Sequence, residues 1–246
     1  MQKYRAIVQY RGTRYSGWQV QKDRDTIQGC LKAATEKVTG EAITWVGAGR
    51  TDAGVHSLGQ CAHFRLEQAR QAGQLQRSLN GVLPPDIRVR RLQQADQLFH
   101  AQKQALKKRY AYRIFNGPVL SPFLPGLVYH AFRPLDVAAM QQAARLLTGT
   151  WNLRGFAAAS TSVRTFTRTI HLSQLRRRRN QLRYIVEANG FLHHMVRNIV
   201  GTLLEVGTGL RPPEDMLRIL ASRDRRNAGR TASPQGLYLV RVWYRE

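Results

Sequence analysis

The chain has 246 residues, 43% of them hydrophobic and 22% charged, the composition of a folded protein with one large domain or two small ones. No apolar run approaches the roughly 20 residues of a membrane helix. No apolar signal-peptide core follows the start Met1-Gln2-Lys3-Tyr4-Arg5, so a cytoplasmic protein is expected. Lys and Arg (39) exceed Asp and Glu (15) by 24, an excess that favours polyanions, nucleic acid first and an anionic membrane surface second.

In chain order, Tyr4–Tyr10 reads as a first strand. A helix follows, with Asp25 as N-cap, Gln28 three residues on, and Ile27, Leu31, Ala34 and Val38 along one face. Ile43–Val46 is a second strand. Cys61–Leu66 is a third, with Ala62, Phe64 and Leu66 alternating against Cys61, His63 and Arg65. Glu67–Leu79 reads as a helix weakened by Gly73, and Ile87–Leu92 as a fourth strand after Pro84-Pro85. Cys30 and Cys61 form no C-x-x-C pair and read as buried small side chains.

The second half repeats this order. Arg109–Phe115 is a strand with Tyr110, Tyr112 and Ile114 on one face. After a Pro/Gly-rich loop, Asn116–Gly126, comes a helix capped by Asp136 and ended by Gly149. Thr169–Leu175 and Leu182–Ala188 flank Arg176-Arg177-Arg178-Arg179-Asn180 as a hairpin with a basic tip. The next helix carries Leu192, Met195, Val196, Ile199, Leu203 and Val206 and stops at Gly207. A short helix opens at Pro212-Pro213-Glu214-Asp215, and Leu237–Tyr244 is the last strand. Twice β-α-β-β-α-β predicts an α+β fold of two ferredoxin-like halves, residues 1–104 and 105–246, with a ligand trough at their join.

Charge is uneven along the chain: from Gln97 to Val186 the only acid is Asp136, against fifteen Lys and Arg. That bias predicts a basic face on the trough. Tyr110 and Tyr112 offer aromatic faces, and Arg109 and Arg113 lie on the opposite strand face, a combination suited to unpaired RNA; one of the two tyrosines is expected to be core. His193 and His194 diverge by about 100° on a helix and have no third ligand at sensible spacing, so no metal site is expected there.

The segment Gly47-Ala48-Gly49-Arg50-Thr51-Asp52-Ala53-Gly54-Val55-His56 stands out, with three glycines in eight residues after a strand. A dinucleotide fingerprint would need glycine at position 52, and no Lys-Ser/Thr follows to make a phosphate loop. Asp52 is the only acid between Glu41 and Glu67. Such an Asp either caps a turn or pairs with Arg50, or it is a carboxylate nucleophile held ionised by Arg50. A metal-dependent nuclease would cluster several carboxylates, and acids are sparse here. Two further readings remain open, a non-catalytic RNA-binding protein and a glycosylase that would release free uracil.

The loop Gly47–His56, continued by Gly59-Gln60, resembles the active-site motif of the tRNA pseudouridine synthase A family. The resemblance extends through Gly17-Trp18-Gln19, Asn80 with Leu83-Pro84-Pro85-Asp86-Ile87, and Phe99-His100-Ala101. It continues in Arg109-Tyr110 with Tyr112, the run Phe191–Gly201, and Gly236-Leu237-Tyr238-Leu239. Departures fall at Arg11, Gln102, Leu153, Gly155 and Ser233, outside the Asp52 loop. The resemblance implies a pseudo-symmetric pseudouridine synthase fold with a central cleft. It also implies isomerisation of uridines 38, 39 and 40 in the tRNA anticodon stem-loop, by a homodimer without metal or organic cofactor. By the same resemblance Asp52 is the catalytic aspartate, and Arg50 pairs with it and helps draw out the nucleotide. Tyr110 packs on the uracil and shares in proton transfer, Leu237 lines the pocket, Arg197 organises the site, and His56 joins the substrate-binding residues.

Overall fold

A computed structural model describes residues 1–245. The chain forms two compact units, Met1–Leu106 joined by the chain from Tyr238 onward, and Lys107–Leu237. The boundary expected from sequence is 104/105, with the last strand in the second half; by contacts, the chain from Tyr238 onward groups with the first unit.

In the first unit, β1 (Gln2–Tyr10), α1 (Ile27–Thr39), β2 (Val46–Gly47), β3 (His56–Leu66), α2 (Ala72–Val82) and β4 (Ile87–Gln94) follow in the β-α-β-β-α-β order. The sheet runs β4-β1-β3-β2 and every one of these pairings is antiparallel, the strand order of a ferredoxin-like unit. Tyr4, Ala6, Val8 and Tyr10 alternate out of β1 into a core shared with Trp18, Ile27, Leu31, Trp45, Phe64, Leu79 and Ile87.

Three boundaries differ from expectation. The cap of α1 is Thr26, not Asp25: its hydroxyl accepts from Gly29 N–H at 3.2 Å. The helix α2 starts at Ala72, not Glu67. The Glu41 carboxylate takes Glu67 N–H at 2.7 Å, and the Tyr4 hydroxyl bonds Arg70 N–H and C=O, both at 2.7 Å, so this stretch is held in another conformation. In the expected second strand, Ile43 and Trp45 are buried, but pairing begins only at Val46. Trp45 donates to Thr35 Oγ1 at 3.0 Å, so apolar alternation there reports packing rather than a ladder.

In the second unit, β5 (Lys107–Phe115), β6 (Tyr129–His130), α3 (Val137–Arg145), β7 (Gly149–Asn152), β8 (Thr167–Arg178), β9 (Gln181–Ala188), α4 (Met195–Gly207) and α5 (Asp215–Ser222) follow. The sheet order is β5-β9-β8-β7, antiparallel, with β6 parallel to β5. Asp136 caps α3 as expected, accepting from Ala139 N–H at 3.0 Å. Helix α3 ends at Arg145, however, and Gly149 opens β7 instead of ending the helix. Leu192 is buried but precedes α4, because His194 sits at φ +59 and the helix begins at Met195. The last strand, β10 (Leu237–Trp243), returns to the first unit, where Tyr238 and Leu239 pair in parallel with His56 and Ser57 of β3.

Candidate active site

The Asp52 loop joins β2 to β3 and is pinned along its length within the first unit. Ala48 N–H bonds Cys61 C=O at 2.8 Å, and Gln60 Nε2 bonds Gly49 C=O at 2.7 Å. A second loop, residues 11–19, lies against it: Trp18 N–H donates to Thr51 C=O at 3.0 Å and Gly54 N–H to Tyr15 C=O at 3.2 Å. The approach is close enough that a Cβ on Gly17 would stand 2.5 Å from Thr51 O, and Gly17 holds φ +90. No other residue fits there without moving the backbone of Thr51 and Asp52.

Asp52 opens a tight turn, closed by Val55 N–H onto its carbonyl at 3.2 Å, with Gly54 at φ +77 in the third place. On the other side of Asp52, Thr51 is 7% exposed and its hydroxyl meets the Tyr10 hydroxyl at 2.9 Å. The turn-forming role and the chemical role weighed from sequence are therefore compatible: the backbone makes the turn, while the half-buried side chain is presented beside it. Arg50 is exposed, with Nε donating to Gln19 Oε1 at 3.2 Å.

His56 has a structural place. It is 1% exposed, its Nδ1 accepts Gly12 N–H at 3.0 Å, and its ring stacks on Tyr238 at 4.6 Å. The proton of the neutral ring is thereby assigned to Nε2. The loop of residues 11–19 is tied down in turn by Asp86. Burial alone would raise this carboxyl, but the Tyr15 hydroxyl at 2.6 Å and the Arg14 guanidinium hold it below the usual carboxylate range.

In the second unit, Tyr110 is 7% exposed and meets Phe191 edge-on at 4.9 Å. Tyr112 is the core tyrosine of the pair: it is fully buried and donates to Ser233 C=O at 2.7 Å. Arg109 does not stand ready for a phosphate, because it and Lys107 share the buried Glu187 carboxylate, with Lys107 Nζ at 3.1 Å. Lys108, not singled out from sequence, lies on the Tyr110 face of β5 by strand alternation. Burial, and then the Arg168 charge, push its ammonium below the usual lysine range. Arg197 Nε bonds Ala232 C=O at 2.8 Å, and Ala232 N–H returns to Arg197 C=O at 3.0 Å. Beside it Asn198, fully buried, donates to Phe156 C=O at 2.8 Å and accepts from Thr231 Oγ1 at 2.7 Å. Leu237 is 5% exposed.

A family model described as tRNA pseudouridine synthase matches residues 6–102 and 143–245. This chain belongs to that family. It is 41% identical to the tRNA pseudouridine synthase A of Acetivibrio thermocellus over 244 residues, 99% of this chain and 100% of the relative. It is 43% identical to that of Actinobacillus succinogenes over 97% of this chain and 90% of the relative. With the protein of Syntrophomonas wolfei it shares 42% over its whole length and 99% of the relative. Membership makes the chain an isomerase, and the α+β architecture agrees with the fold expected of the family. The Asp52 loop, Arg197 and Leu237 all fall inside the matched segments, while Tyr110 lies in the interval between them and is spanned by the full-length relatives.

Proposed function

We propose that this chain converts uridine to pseudouridine in tRNA, at positions 38, 39 and 40 of the anticodon stem-loop, with Asp52 as the catalytic carboxylate and the working form a homodimer. The observation that carries the reading is the construction of the Asp52 loop. Asp52, the only acid between Glu41 and Glu67 in a chain of net charge +24, is held by hydrogen bonds on both sides of its Cα, with Gly17 admitting the close approach.

The chemistry needs few parts. The N1–C1′ bond breaks, the uracil turns, C5 bonds to C1′, and the C5 proton is lost as N1 gains one, so product and substrate are isomers. Nothing is oxidised and no atom is lost, so the reaction itself requires no cofactor. Asp52 attacks C1′ or C6, or removes a sugar proton to give a glycal; each route uses an ionised carboxylate. Extruding the nucleotide costs a few kcal/mol, offset by stacking on Tyr110 and by phosphate contacts. Arg50 assists extrusion, Leu237 lines the uracil pocket, and Arg197 fixes the backbone around it through Ala232. His56 acts on substrate through the loop it fastens to Gly12.

The test is to incubate the chain with a transcribed tRNA and map pseudouridine by mass spectrometry, with Asp52→Asn and Asp52→Ala alongside. Pseudouridine in the anticodon arm, lost in both variants with tRNA binding retained, is the expected result. Binding with every uridine intact would return the chain to RNA binding alone, and free uracil would make it a glycosylase.

A further inference from the structure

The second unit's sheet carries a row of arginines across three neighbouring strands. Arg113 of β5 stands directly opposite Arg183 of β9, and Arg183 directly opposite Arg176 of β8. The next row along the ladder, Tyr112, Tyr184 and Leu175, faces the other way and is buried there. The arginines therefore share the opposite face, where Arg176 and Arg183 are exposed and Arg113 is half-buried. Alternation adds Arg178, exposed, one row nearer the hairpin tip. Adjacent strands are about 4.8 Å apart, so the row spans roughly 10 Å.

Like charges at directly opposed strand positions destabilise a sheet. A fold that only needed solubility would intersperse signs. Three guanidiniums in line, fixed by the ladder, suit a succession of phosphates.

We propose that the Arg113–Arg183–Arg176 row is a docking platform for the phosphate backbone of the RNA substrate. The platform is a sequence-independent contact that raises affinity without taking part in the isomerisation. It rests on the reading of the chain as an RNA-modifying enzyme, but binding can be measured without turnover, so the two fail separately.

The experiment compares the unaltered chain, Arg176→Gln, the double variant Arg176→Gln/Arg183→Gln, and Arg218→Gln as a charge-matched control on α5, where Arg218 pairs with Asp215 at 2.8 Å. Each is titrated with transcribed tRNA over a range of salt, melted without RNA, and assayed for pseudouridine. The double variant should bind tRNA about tenfold more weakly, with a salt slope shallower by roughly one to two. The single variant should lose about half as much, and the control nothing. Relief of repulsion should leave melting temperatures equal or about 1–3 °C higher. KM should rise with kcat unchanged. Should pseudouridine never form while the slope still falls, the platform stands and the catalytic reading fails. The platform is overturned by an unchanged slope in the folded variants or by an equal loss in the control. Loss of phosphatidylserine-vesicle binding with tRNA binding intact would overturn it too.

Discussion

At His56 and His63, two imidazoles on one strand, neighbours decide the role. His56 accepts a backbone N–H, so a side chain that keeps an acceptor near Nδ1 should preserve the loop. His56→Asn should retain a good part of the turnover, whereas His56→Leu, leaving Gly12 N–H unsatisfied, should lose about 1–3 kcal/mol of stability and most of the activity. Denaturant titration beside initial rates checks this; equal activity in both variants would count against a structural role. His63 is 7% exposed and accepts Ala101 N–H at 3.2 Å. Burial, then His100, Lys3 and Arg65, push it down to about 4 from 6.5. In the window between those values the unfolded chain binds the extra proton. Stability from this group is complete above pH 6.5 and falls as pH drops toward 4, by a few kcal/mol in all. Urea midpoints at pH 7 and pH 5 should differ in this sense, and the difference should shrink in His63→Asn. At this scale the Asp52 loop was legible, because glycine spacing and a solitary acid are local signals. The engagement of Arg109 was not, since Glu187 is its partner by strand register across 78 positions.

Elements were legible where period and burial coincide. The alternation of β1 and β5 read true because one face of each meets the core, whereas in β3 Cys61 and His63 on the second face are buried as well as Ala62, Phe64 and Leu66. Ile43–Val46 shows the same alternation and pairs only at its end, since Trp45 is held by Thr35 and Gln28 instead of a neighbouring strand. Helix α2 was displaced because Tyr4 and Glu41, both distant in sequence, capture the backbone of residues 67–70. Its true start puts Gly73 in the first turn, with φ not positive and only ordinary contacts for an added methyl at 3.6–3.8 Å. Gly73→Ala should therefore stabilise the protein by about 0.4–1 kcal/mol, seen as a higher melting temperature. A drop in melting temperature would mean that the first turn needs glycine for another reason.

For the whole molecule, two α/β units follow from the repeated element order, but ownership of the last strand does not. Nothing local in Leu237–Trp243 says that it will pair with His56 and Ser57. The strand also brings Trp243 C=O to Leu106 N–H at 2.8 Å and the Tyr244 hydroxyl to Ala101 C=O at 2.7 Å, with Arg5 4.5 Å above the Tyr244 ring. A chain stopped after Leu237 keeps every residue of the second unit and should lose amide protection in β1 and β3 while β8 and β9 stay protected. Hydrogen exchange read by mass spectrometry would show this, and full protection of β3 would disprove it. The same strand sets an order of events on the ribosome. When Leu106 has been made, the edge of β3 at His56 and Ser57 has no partner, and Tyr238 follows only after another 131 residues, on the order of ten seconds of synthesis. The unit that holds Asp52 is interrupted by the whole of the second unit, so a nascent chain carries the Asp52 loop on an unfinished sheet while residues 107–237 are made.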